Sequence, residues 1–200
     1  SNIKRIFIDF FSSKKKNNKA FKIIIATIPA LLGGFFVYEF LLEYIRNLVV
    51  IGWASIIFGI LLFFVDHKYQ SNKNWEEINF YESFIVGCFQ VLAFIPGASR
   101  AGVTITGARF LKVKRESAAI FSMLLSIPII LASLFLALFD TLSINTNLIN
   151  FTPLIASSII SFFTAIISIH LMMKILKFTN FNIFIIYRIF LGITLLLVYA

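Results

Sequence analysis

Six apolar runs separated by short polar loops constrain this chain more than any other feature. They fall at Ile23–Leu41, Leu48–Val65, Phe84–Pro96, Ala118–Phe139, Phe151–Met173 and Phe181–Val198. A helix needs about 20 apolar residues to cross ~30 Å of hydrocarbon, so five runs are long enough to span and the one ending at Pro96 is not. The 200 residues are 60% hydrophobic and 14% charged, against roughly 45–50% apolar and 25% charged in soluble domains. No separate soluble catalytic module fits in what is left. The expected fold is an all-α polytopic membrane protein, with residues 23–200 forming one transmembrane domain behind a basic cytoplasmic segment at 1–22.

Charge places the loops. Eighteen Lys and Arg against nine Asp and Glu give a formal +9, and the basic residues sit in short loops beside apolar runs. There they set orientation and meet anionic lipid head groups, so nucleic acid is not an expected partner. The single cysteine, Cys88, cannot form an internal disulfide. Ser1–Lys22 carries Lys14-Lys15-Lys16, Arg109–Glu116 carries Arg109, Lys112, Lys114 and Arg115, and Lys174–Asn180 carries Lys174 and Lys177, whereas Asp140–Asn150 has no Lys or Arg. If Phe84–Arg109 crossed the membrane once, these basic loops would fall on opposite sides. If it enters and returns on one side, every strongly basic loop lies inside. A re-entrant helix hairpin over about 82–109 is therefore expected beside the five spans. Non-helical backbone at membrane depth is tolerated only where protein or a water-filled cavity surrounds it, so the hairpin should line a pocket.

A weak internal echo points to an inverted repeat. Ile25-Ala26-Thr27-Ile28-Pro29-Ala30 resembles Leu125-Ser126-Ile127-Pro128-Ile129-Ile130, each with a proline early in an apolar span. Paired broken helices bring two half-helix tips together near the midplane. Only one tip is visible here, so the chain reads as the remnant of such a repeat.

That tip is Pro96-Gly97-Ala98-Ser99-Arg100-Ala101-Gly102-Val103-Thr104. Pro96 ends one half-helix, Gly97 permits an unusual backbone angle, Ser99 can cap the next helix, and Gly102 and Gly107 keep its face slim. The free N–H groups and positive dipole end of a helix N-terminus make an anion site. Arg100 adds a planar fork suited to phosphate, and Ser99 and Thr104 add hydroxyls. A charge at this depth costs several kcal/mol, roughly 3, without a partner or water. The plainer alternative is that Arg100 snorkels to an interface and Ser99 merely caps a helix.

The string Phe89-Gln90-Val91-Leu92-Ala93-Phe94-Ile95-Pro96-Gly97-Ala98-Ser99-Arg100-Ala101-Gly102-Val103-Thr104 resembles a signature of the undecaprenyl-diphosphate phosphatase family, the bacitracin-resistance proteins, close to Q-x-x-A-x-x-P-G-x-S-R-S-G-x-T. Ala26-Thr27-Ile28-Pro29-Ala30, Arg115-Glu116-Ser117-Ala118-Ala119, Phe121-Ser122 through Pro128, and Tyr187-Arg188-Ile189-Phe190-Leu191-Gly192 resemble further segments in order. The resemblance implies a multi-pass hydrolase of the bacterial inner (plasma) membrane. It would remove the terminal phosphate of undecaprenyl diphosphate, regenerating the carrier lipid of cell-wall precursors and conferring bacitracin resistance. By the same resemblance Ser99, Arg100 and Thr104 are catalytic and bind the diphosphate together with Gly97 and Gly102, and Gln90 hydrogen-bonds either the diphosphate or a neighbouring helix.

Two departures stand out. Ala101 replaces the second serine of S-R-S, and the family's acidic first signature has no counterpart before Ile23. The divalent metal the resemblance implies, Mg or Ca, is expected on glutamates of that signature, so no metal ligand is assigned here. The chain reads as the family without its first span and first hairpin. A non-hydrolytic transporter or lipid-diphosphate-binding protein, or an inactive truncated fragment, are the other expectations. His67, beside Asp66 and Lys68, is expected to be a solvated loop residue, and His170 a packing or interfacial one. Glu39 and Glu43 share a helix face at i, i+4 and are expected to be solvated. Glu76, Glu77 and Glu82 read as loop charge, and Tyr187 with Arg188 as an anchor near the inner interface or as catalytic groups.

Overall fold

In the computed structural model, residues 19–40, 47–69, 72–143 and 151–199 are described. Seven α-helices cover most of them: α1 Lys19–Phe40, α2 Leu48–Lys68, α3 Phe80–Val91, α4 Arg100–Phe110, α5 Arg115–Ser143, α6 Phe151–Phe178 and α7 Asn182–Tyr199. Five of these, α1, α2, α5, α6 and α7, are long and apolar enough to cross a membrane. They coincide with the five long runs of the sequence, and the protein is an all-α polytopic membrane protein. Large side chains such as Phe162, Ile167 and Phe190 face outward, as they do when the surrounding solvent is lipid. The small residues sit inside. A Cβ on Gly192 would stand 2.7 Å from the Gly52 carbonyl oxygen, so α2 and α7 touch backbone to backbone.

The short run folds as two arms. Asn79 caps α3 by accepting from the Glu82 N–H at 2.8 Å, while Glu82 Oε2 accepts from the Asn79 N–H at 2.8 Å, a reciprocal capping box. The arms have 12 and 11 residues, roughly 16–18 Å at 1.5 Å per residue, about half the hydrocarbon depth. Past Phe110 the chain stops in a Schellman turn. Lys112 adopts φ 64, its N–H donates to the Arg109 carbonyl at 2.9 Å, and the Val113 N–H donates to that of Ala108 at 3.1 Å. Lys73 and Val113 then pair as an isolated parallel bridge, with the Asn72 N–H donating to Lys112 at 3.1 Å and the Lys114 N–H to Lys73 at 2.9 Å. The residues that lead into the hairpin and those that leave it are pinned side by side.

Ion pairs reinforce this base. Asp66, its side chain 0% exposed, accepts from Arg109 Nε at 2.7 Å and from Arg115 Nε at 3.0 Å. Arg109 also donates to the carbonyls of Asp66, Tyr69 and Val113. Asp66 and Arg109 are therefore not loop charges, as their neighbours in sequence imply, but a buried lock between α2 and α4. His67 is exposed as expected, yet on the last turn of α2 rather than in a loop, with Nδ1 2.9 Å from the Phe63 carbonyl. α1 begins at Lys19, four residues before the apolar run, and buries Lys22 with Nζ donating to the Glu76 carbonyl at 2.6 Å.

Glu82 is structural too. Besides capping α3 it pairs with Lys73. Burial raises its pKa, but the Lys73 ammonium and the Asn79 N–H outweigh burial and hold the carboxyl below its usual range. A carboxyl whose folded-state pKa is depressed contributes stability above its unfolded value, about 4.3, and that contribution is lost as pH falls through the depressed value. Glu82→Gln is expected to lower the melting temperature at pH 7 and to flatten its fall on the acid side. An acid-side profile that matches the wild type rules this role out.

Candidate functional site

The hairpin tip is built by a turn whose sequence fits its geometry. Ile95-Pro96-Gly97-Ala98 places proline second and glycine third, with Gly97 at φ 90 and the Ala98 N–H donating to the Ile95 carbonyl at 3.0 Å, the pattern of a type II turn. The turn lies against α2, where a Cβ on Gly97 would stand 2.4 Å from the Ile51 carbonyl oxygen. Two side chains hold it. Ser55 Oγ donates to the Gly97 carbonyl at 3.3 Å, and Arg188 Nη2 donates to those of Gly97 and Ala98 at 2.9 and 2.7 Å.

Ser99 follows with φ 63, a backbone state that a non-glycine residue rarely adopts. It is exposed, and its Oγ accepts from the Gly102 N–H at 3.3 Å, capping α4. The first two helical N–H groups, of Arg100 and Ala101, have no acceptor inside the helix. Arg100 is half-buried and sends Nη2 to Gln90 Oε1 at 3.2 Å and to the Leu125 carbonyl. Neither Arg100 nor Arg188 has a carboxylate partner among the described residues. Three buried donors here lack an acceptor: Arg100 Nε, Gln90 Nε2 and Arg188 Nη1. Arg188 Nη1 lies beside Gly102 and Ser99, since a Cβ on Gly102 would stand 2.5 Å from it and 3.4 Å from Ser99 Oγ.

Five of the six predicted residues, Gln90, Gly97, Ser99, Arg100 and Gly102, thus gather at or beside the tip. Thr104 lies one turn further along α4 and is turned inward. Its Oγ1 bonds the Arg100 carbonyl at 2.9 Å and Ser122 Oγ of α5 at 2.7 Å. Sequence reasoning missed Ser55, Ser122 and the Leu125 carbonyl, and gave Arg188 too little weight. An arginine in an apolar run of 18 residues is itself a pointer to an intramembrane site. His170 sits on an exposed stretch of α6. Glu43 and the side chain of Glu39 lie outside the described residues.

The arrangement offers N–H and O–H donors, two permanent cations and a helix N-terminus, which is chemistry for an oxyanion. Among the described residues no three His, Cys, Asp or Glu side chains gather where they could hold a metal ion. These residues do not fit the divalent cation the resemblance implies.

The same residues lie within a known family, for residues 1–194 match the one described as bacitracin resistance protein BacA. The chain belongs to the BacA family. Curated relatives agree. It is 40% identical over 188 residues to an undecaprenyl-diphosphatase of Aliivibrio salmonicida (strain LFI1238), covering 92% of this chain and 70% of that protein. It is 37% identical over 180 residues to an undecaprenyl-diphosphatase of Jannaschia sp. (strain CCS1), covering 90% of this chain and 67% of the relative. A Ruegeria sp. (strain TM1040) protein of the same name is 36% identical over 180 residues, with the same coverage. As a BacA-family chain it carries Gln90, Gly97, Ser99, Arg100, Gly102 and Thr104 inside the matched region.

Proposed function

We propose that this chain acts as an undecaprenyl-diphosphate phosphatase, hydrolysing the lipid diphosphate to the monophosphate and phosphate, and that the hairpin tip binds the diphosphate. The observation that carries this reading is a pair of guanidinium groups, Arg100 and Arg188, without a carboxylate partner among the described residues and placed beside a helix N-terminus in the half-membrane hairpin. Uncompensated charge at such depth is costly, and a bound anion removes the cost. In phosphoryl transfer the protein contributes mostly position and charge stabilisation. Arg100 acts as the charge clamp on the terminal phosphate, Ser99 and the open N–H groups of α4 bind its oxygens, and Gln90 adds a donor. Water forms a bond to the terminal phosphorus as the bond to the bridging oxygen breaks, and the lipid monophosphate leaves. Thr104, tied to Ser122, holds the first turn of α4. The chain works in the bacterial inner (plasma) membrane, with the hairpin base on the basic, cytoplasmic side and polyprenyl diphosphate lipid as partner.

The test is phosphate release from undecaprenyl diphosphate by the purified chain and by Arg100→Ala. Loss of at least about 100-fold is expected, as when one preorganised donor to a developing anion is removed. Equal rates reject the role of Arg100. Tight binding of the lipid diphosphate with no turnover selects a non-hydrolytic lipid-diphosphate-binding protein instead.

A further inference from the structure

The two prolines of the internal echo lie in helices that pack on the two arms of the hairpin. Pro29 lies inside α1, which packs on α3, and Pro128 lies inside α5, which packs on α4. A proline inside a helix has no N–H for the carbonyl four residues back, and its ring crowds that turn and opens it. In both helices the carbonyl three residues before the proline meets the hairpin. The Ala26 carbonyl oxygen would stand 2.5 Å from a Cβ on Gly87, so it lies against the bare backbone of α3. The Leu125 carbonyl takes Nη2 of Arg100 from α4.

The second contact has chemical content. Arg100 has no carboxylate partner among the described residues, so its long side chain is oriented by neutral acceptors, the Leu125 carbonyl and Gln90 Oε1. Both acceptors engage the same nitrogen. Arg100 Nε and Gln90 Nε2, both buried, stay without acceptors, and Gln90 itself is only 2% exposed. A flexible side chain held by one nitrogen, with neighbouring donors left open, is preorganised for an incoming oxyanion.

We propose that Pro128 is a positioning residue for Arg100. By opening α5 it presents the Leu125 carbonyl as a socket, and the socket fixes the guanidinium with Arg100 Nε and Gln90 Nε2 left open to the oxygens of a diphosphate. The last step rests on the reading of the tip as a diphosphate site; the socket itself does not.

The experiment uses the purified full chain in detergent and has two arms. In the first, phenylglyoxal labelling of Arg100, followed by mass spectrometry without ligand, is expected to quicken about tenfold in Pro128→Ala, matching the loss of one hydrogen bond to a charged group. Labelling of Arg188 should not change. Alanine is a better helix former than proline, so the variant is expected to fold. Gln90→Leu, which removes the other acceptor of the same nitrogen, gives the same selective quickening by an independent route. An unchanged rate at Arg100, or an equal rise at Arg188, overturns the socket.

The second arm measures binding of farnesyl diphosphate. Pro128→Ala should weaken it about tenfold in the native background and add nothing to Arg100→Ala. Equal weakening in both backgrounds overturns the positioning role. Selective quickening of Arg100 labelling in a chain that does not bind farnesyl diphosphate keeps the socket and rejects the diphosphate reading of the tip.

Discussion

Asp66→Ala is expected to destabilise the protein by about 3–5 kcal/mol, the range for removing one partner of a buried ion pair. The carboxylate is fully buried and answers two guanidinium groups, Arg109 at 2.7 Å and Arg115 at 3.0 Å. Their fates differ. Arg115 keeps 31% of its side chain exposed and can turn to water, whereas Arg109 is 1% exposed and cannot. The loss therefore falls on Arg109, and with it on the join between α2 and the hairpin base. For a chain of this size the change corresponds to roughly a 10 °C drop in melting temperature, read in detergent by loss of helical ellipticity. The double change Asp66→Leu with Arg109→Met is expected to recover only part of it, because an apolar pair removes the uncompensated charge but takes the Arg109 donor from the carbonyls of Asp66, Tyr69 and Val113. A single change that costs less than about 1 kcal/mol would mean the pair is as weak as a surface salt bridge and would sink the prediction.

The second large effect is expected at the tip. Gly97→Ala meets two obstacles. Its φ of 90 is a conformation that costs an L-residue about 1–2 kcal/mol, and the new Cβ would stand 2.4 Å from the Ile51 carbonyl oxygen. Overpacking against a fixed group adds about 1–3 kcal/mol. The strain is relieved only by lifting the turn from α2, which breaks its bonds to Ser55 and Arg188. Stability and diphosphate binding should therefore fall together. Gly102→Ala is the informative contrast, since its Cβ would meet the end of a flexible side chain, Arg188 Nη1. That side chain can shift, at the expense of part of its hold on the Gly97 and Ala98 carbonyls, so binding should suffer while the melting temperature falls less than in Gly97→Ala. If the two alanine variants share one profile, the tip is not held as described.

Much of this was legible in the residues. The five spans were visible because ~20-residue apolar runs have few other uses, and the hairpin because loop charge has to sort by side. Its tip was legible as well, since Ile-Pro-Gly-Ala spells a turn and Ser99 spells a cap. The failures share one cause, which is that sequence neighbours are poor guides to partners across the bundle. Asp66, His67 and Lys68 read as one polar loop, yet only the first is buried, because its two arginines arrive from residues 43 and 49 positions away. Arg188 lies 91 positions from the Gly97 carbonyl it holds, and no local pattern announces that distance. The Leu125 carbonyl was out of reach, being backbone that only a fold brings to Arg100.

The lock at the hairpin base also sets an order of assembly. Asp66 leaves the ribosome 43 residues before Arg109, a wait of a few seconds at ordinary synthesis rates of ~5–20 residues per second. During that interval α2 already has its full apolar length, but neither of the two guanidinium groups that answer the Asp66 carboxylate in the folded chain has been made. An unpaired carboxylate is costly to bury, so the lock cannot close before Arg109 has been made. The join between α2 and the hairpin base is therefore made only after α4 has been synthesised.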